Sequence, residues 1–143
     1  MTPIEKDRII ERVLAWVKEE MMALGGFPAD VERVLRCLHD HLFDESFDVN
    51  VIIESSGVRK TEIYGRFKVC VGMSIRRYRE IFRMKAARRL LCYDELGIFL
   101  IAYRLGYTSG TSFGRAFRRY VGCSPTAYRG KMMKENVERS LIA

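Results

Sequence analysis

Apolar residues recur every three to four positions along most of the chain, and glycine, proline and serine interrupt the pattern. In residues 4–24 this spacing places one set of apolar side chains on a single face of a predicted helix, namely Ile10, Val13, Leu14, Val17, Met21 and Leu24. Gly25-Gly26 and Pro28 predict the end of that helix. No segment alternates between apolar and polar residues as a half-buried strand would, so the pattern predicts an all-α fold.

A second helix is predicted from Asp30, a candidate N-cap, to Phe43, followed by a loop at 44–48. Its apolar face comprises Val31, Val34, Leu35, Leu38 and Leu42.

Two similar pairs of helices follow. The predicted ranges are 49–56 and 60–70 around a turn at 56–59, and 97–105 and 111–121 around a turn at 105–110. Gly57 and Gly106 lie where such a turn needs a positive φ. A short helix, a turn containing glycine and a second amphipathic helix form the helix-turn-helix pattern, whose second helix enters the major groove of DNA.

A long helix, predicted over 75–93 behind a Ser74 cap, connects the two pairs. It would form a rod of roughly 28 Å. Successive major grooves on one face of DNA lie roughly 34 Å apart, so such a rod suits two recognition helices in neighbouring grooves. Ser124-Pro125 predicts the start of a last helix, and the polar tail beyond residue 131 is expected to fray.

The two pairs end in the same motif. Residues 67–79 and 117–129 share Phe, Val, Gly, Ser, Tyr and Arg at an offset of fifty positions. The repeated aromatic residues (Phe67, Phe117, Tyr78 and Tyr128) are interpreted as core. One helix-turn-helix match is weak, but two copies with the same following motif are hard to obtain by chance.

Charge is distributed unevenly. Residues 1–48 hold 6 Lys/Arg and 11 Asp/Glu, a net charge of −5, whereas residues 49–143 hold 19 Lys/Arg and 7 Asp/Glu, a net charge of +12. A basic block confined to the part with the helix-turn-helix pattern favours a polyanionic partner there. A merely solubilising basic surface is the alternative.

Other chemistry is not supported. Cys37, His39 and His41 are not spaced for a metal site, and the four cysteines form no C-x-x-C pair, so neither metal nor cofactor is predicted. No nucleophile–base pair or phosphate-binding Gly loop suggests an enzyme. The chain has no apolar run long enough to span a bilayer and no secretion signal, which predicts a cytoplasmic, nucleoid-associated protein without membrane contact.

Residues from about 32 to 130 closely resemble the DNA-binding domain of the AraC/XylS family of bacterial transcriptional regulators. The resemblance is carried by Gly57-Val58, Phe67-Lys68 and the stretches 71–91, 101–107 and 112–129. It implies two helix-turn-helix units joined by a linker helix, sequence-specific binding to double-stranded promoter DNA and contact with RNA polymerase. Activation and repression are not distinguished. With about 30 preceding residues, the chain is most like the small stand-alone members, and a longer protein with a sensor domain is the alternative.

The predicted organisation has five parts: an acidic N-terminal helix and turn (1–29), a first helix-turn-helix subdomain (30–73), a linker helix (74–93), a second subdomain (94–131) and a polar tail (132–143). The N-terminal helix is expected to pack on the first subdomain, to form a dimer or to repel DNA. A monomer on DNA is favoured. The helix at 97–105 is apolar nearly all round, so its surface is expected to meet the N-terminal helix, a second subunit or polymerase.

Base contacts are predicted on the exposed faces of both recognition helices. In the second unit the candidates are Ser109, Thr111, Ser112 and Arg115, and the resemblance places Arg115 on base edges. In the first unit the candidates are Lys60, Thr61 and Tyr64. Gly65 and Arg66 depart from the family pattern, so either Arg66 reaches the DNA or this unit is the weaker of the two.

Phosphate contacts are predicted from a second set of cations, namely Arg59, Arg66, Lys68, Arg76, Arg77, Arg118 and Arg119. Lys68 and Arg118 occupy matched positions of the repeat, and Arg76 and Arg77 open the linker helix. An architectural or non-specific nucleic-acid binder would use the same cations without contacting bases, and it stays the alternative function.

Overall fold

The computed structural model describes residues 1–22 and 26–142 of the 143. This part of the chain forms eight α-helices and no strand, so the all-α prediction is confirmed. The helices are α1 (Pro3–Met22), α2 (Ala29–Asp40), α3 (Val49–Ser56), α4 (Lys60–Val71), α5 (Ile75–Leu91), α6 (Ile98–Arg104), α7 (Gly110–Val121) and α8 (Pro125–Ile142). The predicted roles of Leu24 and Gly25 at the end of α1 lie outside the described residues. None of the helices described here is long and apolar enough to cross a membrane.

The predicted N-cap at Asp30 is wrong. The helix begins one residue earlier, Pro28 is its N-cap, and no side chain caps it. The Asp30 carboxylate instead accepts from the Val31 N–H at 3.0 Å and from Arg66, 36 residues away. The helix also ends at Asp40 rather than Phe43, because His41 turns out of the helix to stack on Phe47, with ring centroids 3.7 Å apart.

The tail beyond residue 131 is helical, because α8 continues to Ile142, and its fraying stays a prediction. Its start matches the expectation, since the Ser124 hydroxyl accepts from the Ala127 N–H at 3.1 Å and Pro125 occupies the first helical position. Beyond Gly130 the sequence is rich in Lys, Met, Glu and Arg, which favour helix even without packing. Val137 and Leu141 on this segment are exposed.

The core contains the repeated aromatic residues. Phe67, Phe117 and Tyr78 are fully buried and Tyr128 is half-buried. Phe67 meets Tyr78 edge to face at 5.8 Å, and Phe117 meets Tyr128 at 5.5 Å, so both copies of the motif make the same contact. The motif therefore joins each recognition helix to the helix that follows it.

Helix α1 packs along the linker helix α5. It buries an apolar face, namely Ile10, Val13, Leu14, Val17 and Met21. Glu20 pairs with Lys85 at 3.0 Å, and Arg89 stacks on Trp16 at 4.6 Å, so the two helices run in opposite directions.

The contacts of α1 were only partly anticipated. Its partner is mainly the linker helix rather than the first helix-turn-helix unit. Near its start, Asp7 and Glu11 bind Arg104 of α6. Phe99 and Tyr103 stay 80% and 69% exposed, so α1 does not cover the apolar surface of α6.

Candidate nucleic-acid interface

The turn before α7 sets the direction of the second recognition helix. Gly106 has a φ of +93°, as the sequence predicted. The hydroxyl of Ser109 accepts from the Ser112 N–H at 3.0 Å, and the hydroxyl of Ser112 accepts from the Ser109 N–H at 3.2 Å. This reciprocal capping box satisfies two main-chain donors at the start of the helix.

The faces of α7 are clearly divided. Phe113 and Phe117 are fully buried, whereas Thr111 and Arg115 are exposed. Of the four predicted base contacts, Thr111 and Arg115 have side chains without a partner among the described residues, while the hydroxyls of Ser109 and Ser112 are occupied by the cap. Arg115 is therefore the longest donor that this helix presents on its predicted contact face.

The first recognition helix, α4, offers a different surface. Ile63 and Phe67 are buried, whereas Lys60, Thr61 and Tyr64 are exposed, with Tyr64 41% exposed. Its N-cap, Arg59, makes no side-chain capping bond, in contrast to Ser109. The helix continues through Gly65 without a break.

Arg66 is held by α2. Its Nε donates to Asp30 Oδ2 at 2.7 Å and its Nη2 donates to Asp30 Oδ1 at 3.1 Å. The guanidinium holds the pKa of the Asp30 carboxyl below its ordinary value, and the carboxylate raises the pKa of Arg66. The charge of Arg66 is thus already paired, which makes it the weakest of the predicted phosphate contacts.

The other predicted phosphate contacts are exposed cations, namely Arg59, Lys68, Arg76, Arg77, Arg118 and Arg119. Lys68 and Arg118 stand in the last turns of α4 and α7. Arg76 and Arg77 open α5, where the Ser74 hydroxyl accepts from the Arg77 N–H at 3.1 Å, which confirms the predicted cap. Helix α7 contains no acidic residue, so every charged side chain on it is basic.

The most deeply buried cation of the described residues was not anticipated from the sequence. Arg83 of α5 is 1% exposed, and its guanidinium donates to three main-chain carbonyls. Nearby, Tyr107 donates to the carboxylate of Glu80. Helical spacing gave a signal, because Arg83 stands three and four residues before the buried Ala86 and Ala87.

The described residues contain no cluster of three or more Cys, His, Asp or Glu side chains that could hold an ion. His41 lies 2.7 Å from Asp44 through its Nδ1, which gives it a structural partner. Burial raises the pKa of the Cys37 thiol, so it stays protonated at neutral pH.

Comparison with known proteins places this geometry in a family. A family model described as a helix-turn-helix domain matches residues 53–131. The Msm operon regulatory protein of Streptococcus mutans is 30% identical over 101 residues, which are 71% of this chain and 36% of that protein. Regulatory protein SoxS of Salmonella typhimurium is 28% identical over 102 residues, 71% of this chain and 94% of that protein.

A solved structure shares the fold. The DNA-binding domain of AdpA, described as a global transcriptional factor and solved with a target DNA, has a TM-score of 0.66 and 25% identity to this chain. The similarity covers 77% of this chain and 96% of that domain. The chain spans 8% and 36% of the length of the first two curated relatives that it matches.

Proposed function

The chain belongs to the helix-turn-helix family, within the AraC/XylS group of regulators, and from this premise we propose that it is a sequence-specific transcription regulator of double-stranded promoter DNA. The observation that carries the proposal is the pair of recognition helices, α4 and α7. Each packs against the core through a buried phenylalanine, Phe67 or Phe117, and each presents polar and basic side chains to solvent.

Two successive grooves are the proposed target. The linker helix α5 has 17 residues and so measures about 26 Å. With a recognition helix at either side of it, this spacing suits grooves roughly 34 Å apart on one face of the duplex. One chain would then make the two-groove contact that many repressors make as dimers, which favours a monomer on DNA.

The proposed DNA contacts are of two kinds, to bases and to phosphates. Arg115 suits bidentate donation to guanine, and Thr111 stands beside it as a further base contact. Lys60, Thr61 and Tyr64 have the corresponding role on α4. The exposed cations, led by Lys68 and Arg118, would bind phosphates and supply affinity that falls with salt.

Partners beyond DNA follow from the family. RNA polymerase is the proposed protein partner at the promoter, and the nucleoid is the proposed location. A dimer through α1 would have to use its outer, polar face, because its apolar face is already buried against the fold.

Selection of bound duplexes from a random pool tests the proposal. Two short sequence boxes about one helical turn apart are expected, and the selected duplex should resist excess random competitor DNA. One box would mean that only one unit contacts bases. Proportional loss to competitor would support an architectural binder instead.

Replacement of Arg115 by alanine tests base contact at one residue. Arg115→Ala should cost roughly 1–3 kcal/mol on the selected duplex and relax specificity at one or two base pairs of one box. The matched control is Arg118→Ala, one turn along the same helix, which should weaken all sequences alike and lower the salt slope by about one. An equal loss on random DNA for Arg115→Ala would assign it to phosphate.

A further inference from the structure

Arg83 lies in the linker helix and touches both helix-turn-helix units. On the side of the first unit, its Nε donates to the Leu42 carbonyl at 2.7 Å and its Nη2 donates to the Asp44 carbonyl at 3.2 Å. On the side of the second unit, its Nη1 donates to the Gly106 carbonyl at 3.4 Å. These carbonyls lie 41, 39 and 23 residues away in sequence.

The second unit is fitted closely around this guanidinium. A side chain at Gly106 would place its Cβ 2.7 Å from Arg83 Nη2 and 2.8 Å from the Phe43 carbonyl oxygen, so only glycine fits. The Tyr107 ring packs on the Arg83 guanidinium at 5.2 Å, and the Tyr107 hydroxyl donates to Glu80, one turn before Arg83. Loop 41–47 and the turn before α7 therefore meet at one point.

Arginine is chemically suited to this position. Its planar guanidinium carries five donors in a fixed fork, so one side chain can bind carbonyls on two sides at once, which lysine cannot do. Burial lowers the pKa of Arg83 to about 10, so it remains charged at neutral pH. A buried charge costs stability unless it is bonded, and here three carbonyls accept from it. An apolar residue would leave those carbonyls without this donor, so Arg83 joins the loop of the first unit to the turn of the second by polar contacts.

We propose that Arg83, with Glu80 and Tyr107, is a brace that fixes the two recognition helices relative to each other and thereby sets the spacing of DNA boxes that the protein accepts. Arg83 is in this sense a positioning residue: it is buried and contacts no DNA itself. The inference rests on the proposed function, because it requires that both units contact bases.

The experiment compares affinities for three kinds of duplex: the selected two-box duplex, the same duplex with one box scrambled, and two-box duplexes with one or two base pairs inserted between the boxes. Wild-type protein should prefer the two-box duplex by roughly 10²–10⁴-fold, as expected for two linked binding sites held in register. Insertions should abolish most of that preference.

Arg83→Lys should reduce the two-box preference by about tenfold and flatten the penalty for insertions, because the lysine cannot hold both units at once. Affinity for the one-box duplex should stay unchanged. Arg88→Met is the matched control, since it removes an exposed cation from the same helix, and it should leave the spacing penalty intact.

Each outcome separates the two hypotheses. If wild-type protein shows no two-box preference, the proposed two-groove function fails. If it shows one and Arg83→Lys keeps the wild-type spacing penalty, or loses one-box and two-box affinity equally, the brace is overturned. If circular dichroism shows that Arg83→Lys is unfolded, Tyr107→Phe decides: it removes only the bond to Glu80, and an unchanged spacing penalty overturns the proposal.

Discussion

The two helix-turn-helix units share their scaffold and differ in how their recognition helices are held. Both helices end at a glycine in the left-handed region, Gly72 or Gly122, and both make the same Phe–Tyr contact. Helix α7 starts with a capping box, whereas α4 starts at an uncapped Arg59. The start of the second recognition helix is therefore better capped, and the second unit is expected to contribute more to DNA discrimination.

The last arginine of the repeated motif shows a second difference. Arg129 donates to the carbonyls of Leu91, Tyr93 and Leu96, which closes the loop that enters the second unit. Its counterpart, Arg79, is largely buried, and its Nε has no hydrogen-bond partner among the described residues. In the first unit Arg83 binds the corresponding loop instead. The second unit thus closes on itself, while the first is held through a residue that also binds the second.

Removing the shared contact should have the largest effect. Phe67→Ala and Phe117→Ala should each lower the free energy of unfolding by about 3–5 kcal/mol, because each deletes a fully buried ring. Urea unfolding followed by circular dichroism measures the change. Val69→Ala, an 85% exposed neighbour on α4, should change little. A loss of unfolding free energy below about 1 kcal/mol for either variant would show that the two copies of the motif do not stabilise the fold equally.

Removing the cap of α7 and adding one to α4 should reverse the difference in helix capping between the two units. Ser109→Ala should lower the free energy of unfolding by about 1 kcal/mol. Arg59→Ser should raise it by up to about the same amount, because Glu62 then stands at the third helical position and completes a capping box. Urea unfolding in the absence of DNA separates this effect from any phosphate contact of Arg59. Equal urea midpoints for wild type and Ser109→Ala would mean that the capping box of α7 adds no stability.

Replacing Gly65 of α4 by alanine should have a smaller effect on stability. A Cβ at Gly65 meets nothing within 4 Å, and the residue is helical. Gly65→Ala should therefore raise the free energy of unfolding by about 0.5–1 kcal/mol through helix propensity. Gly114→Ala, equally open on α7, is the matched control. If Gly65→Ala alone weakens binding to the selected duplex, the DNA backbone approaches α4 at this glycine.

Local features of both units could be predicted from the sequence, and long-range features could not. Helical spacing, the Gly57 and Gly106 turns and the Ser74 and Ser124 caps depend on neighbours within four residues, and the structure contains them all. The Asp30–Arg66 pair and the bonds of Arg83 join residues 23 to 41 apart in sequence. A charged residue is expected at the surface unless its partner is known. For this reason the burial of Arg83 was not predicted, and Asp30 was interpreted as a helix cap.

The base-contacting residues remain predictions, because side-chain exposure is necessary for contact and does not prove it. Thr111 and Arg115 meet that condition on α7, as do Lys60, Thr61 and Tyr64 on α4. The hydroxyls of Ser109 and Ser112 suit either a helix cap or a base contact. The sequence pattern alone does not distinguish the two roles.

Breaking the Asp30–Arg66 pair should have the smallest effect, because both side chains are partly exposed and such pairs are weak. Arg66 holds the pKa of Asp30 below its ordinary 3.8, so the folded state binds this proton less readily than the unfolded state. The pair's contribution is therefore fully present above 3.8 and is lost as the pH falls through the lower, folded value. The Tm difference between wild type and Asp30→Asn should be constant near neutral pH and shrink toward zero in acid. A Tm difference for Asp30→Asn that persists unchanged in acid would mean that the pair does not contribute through its charge.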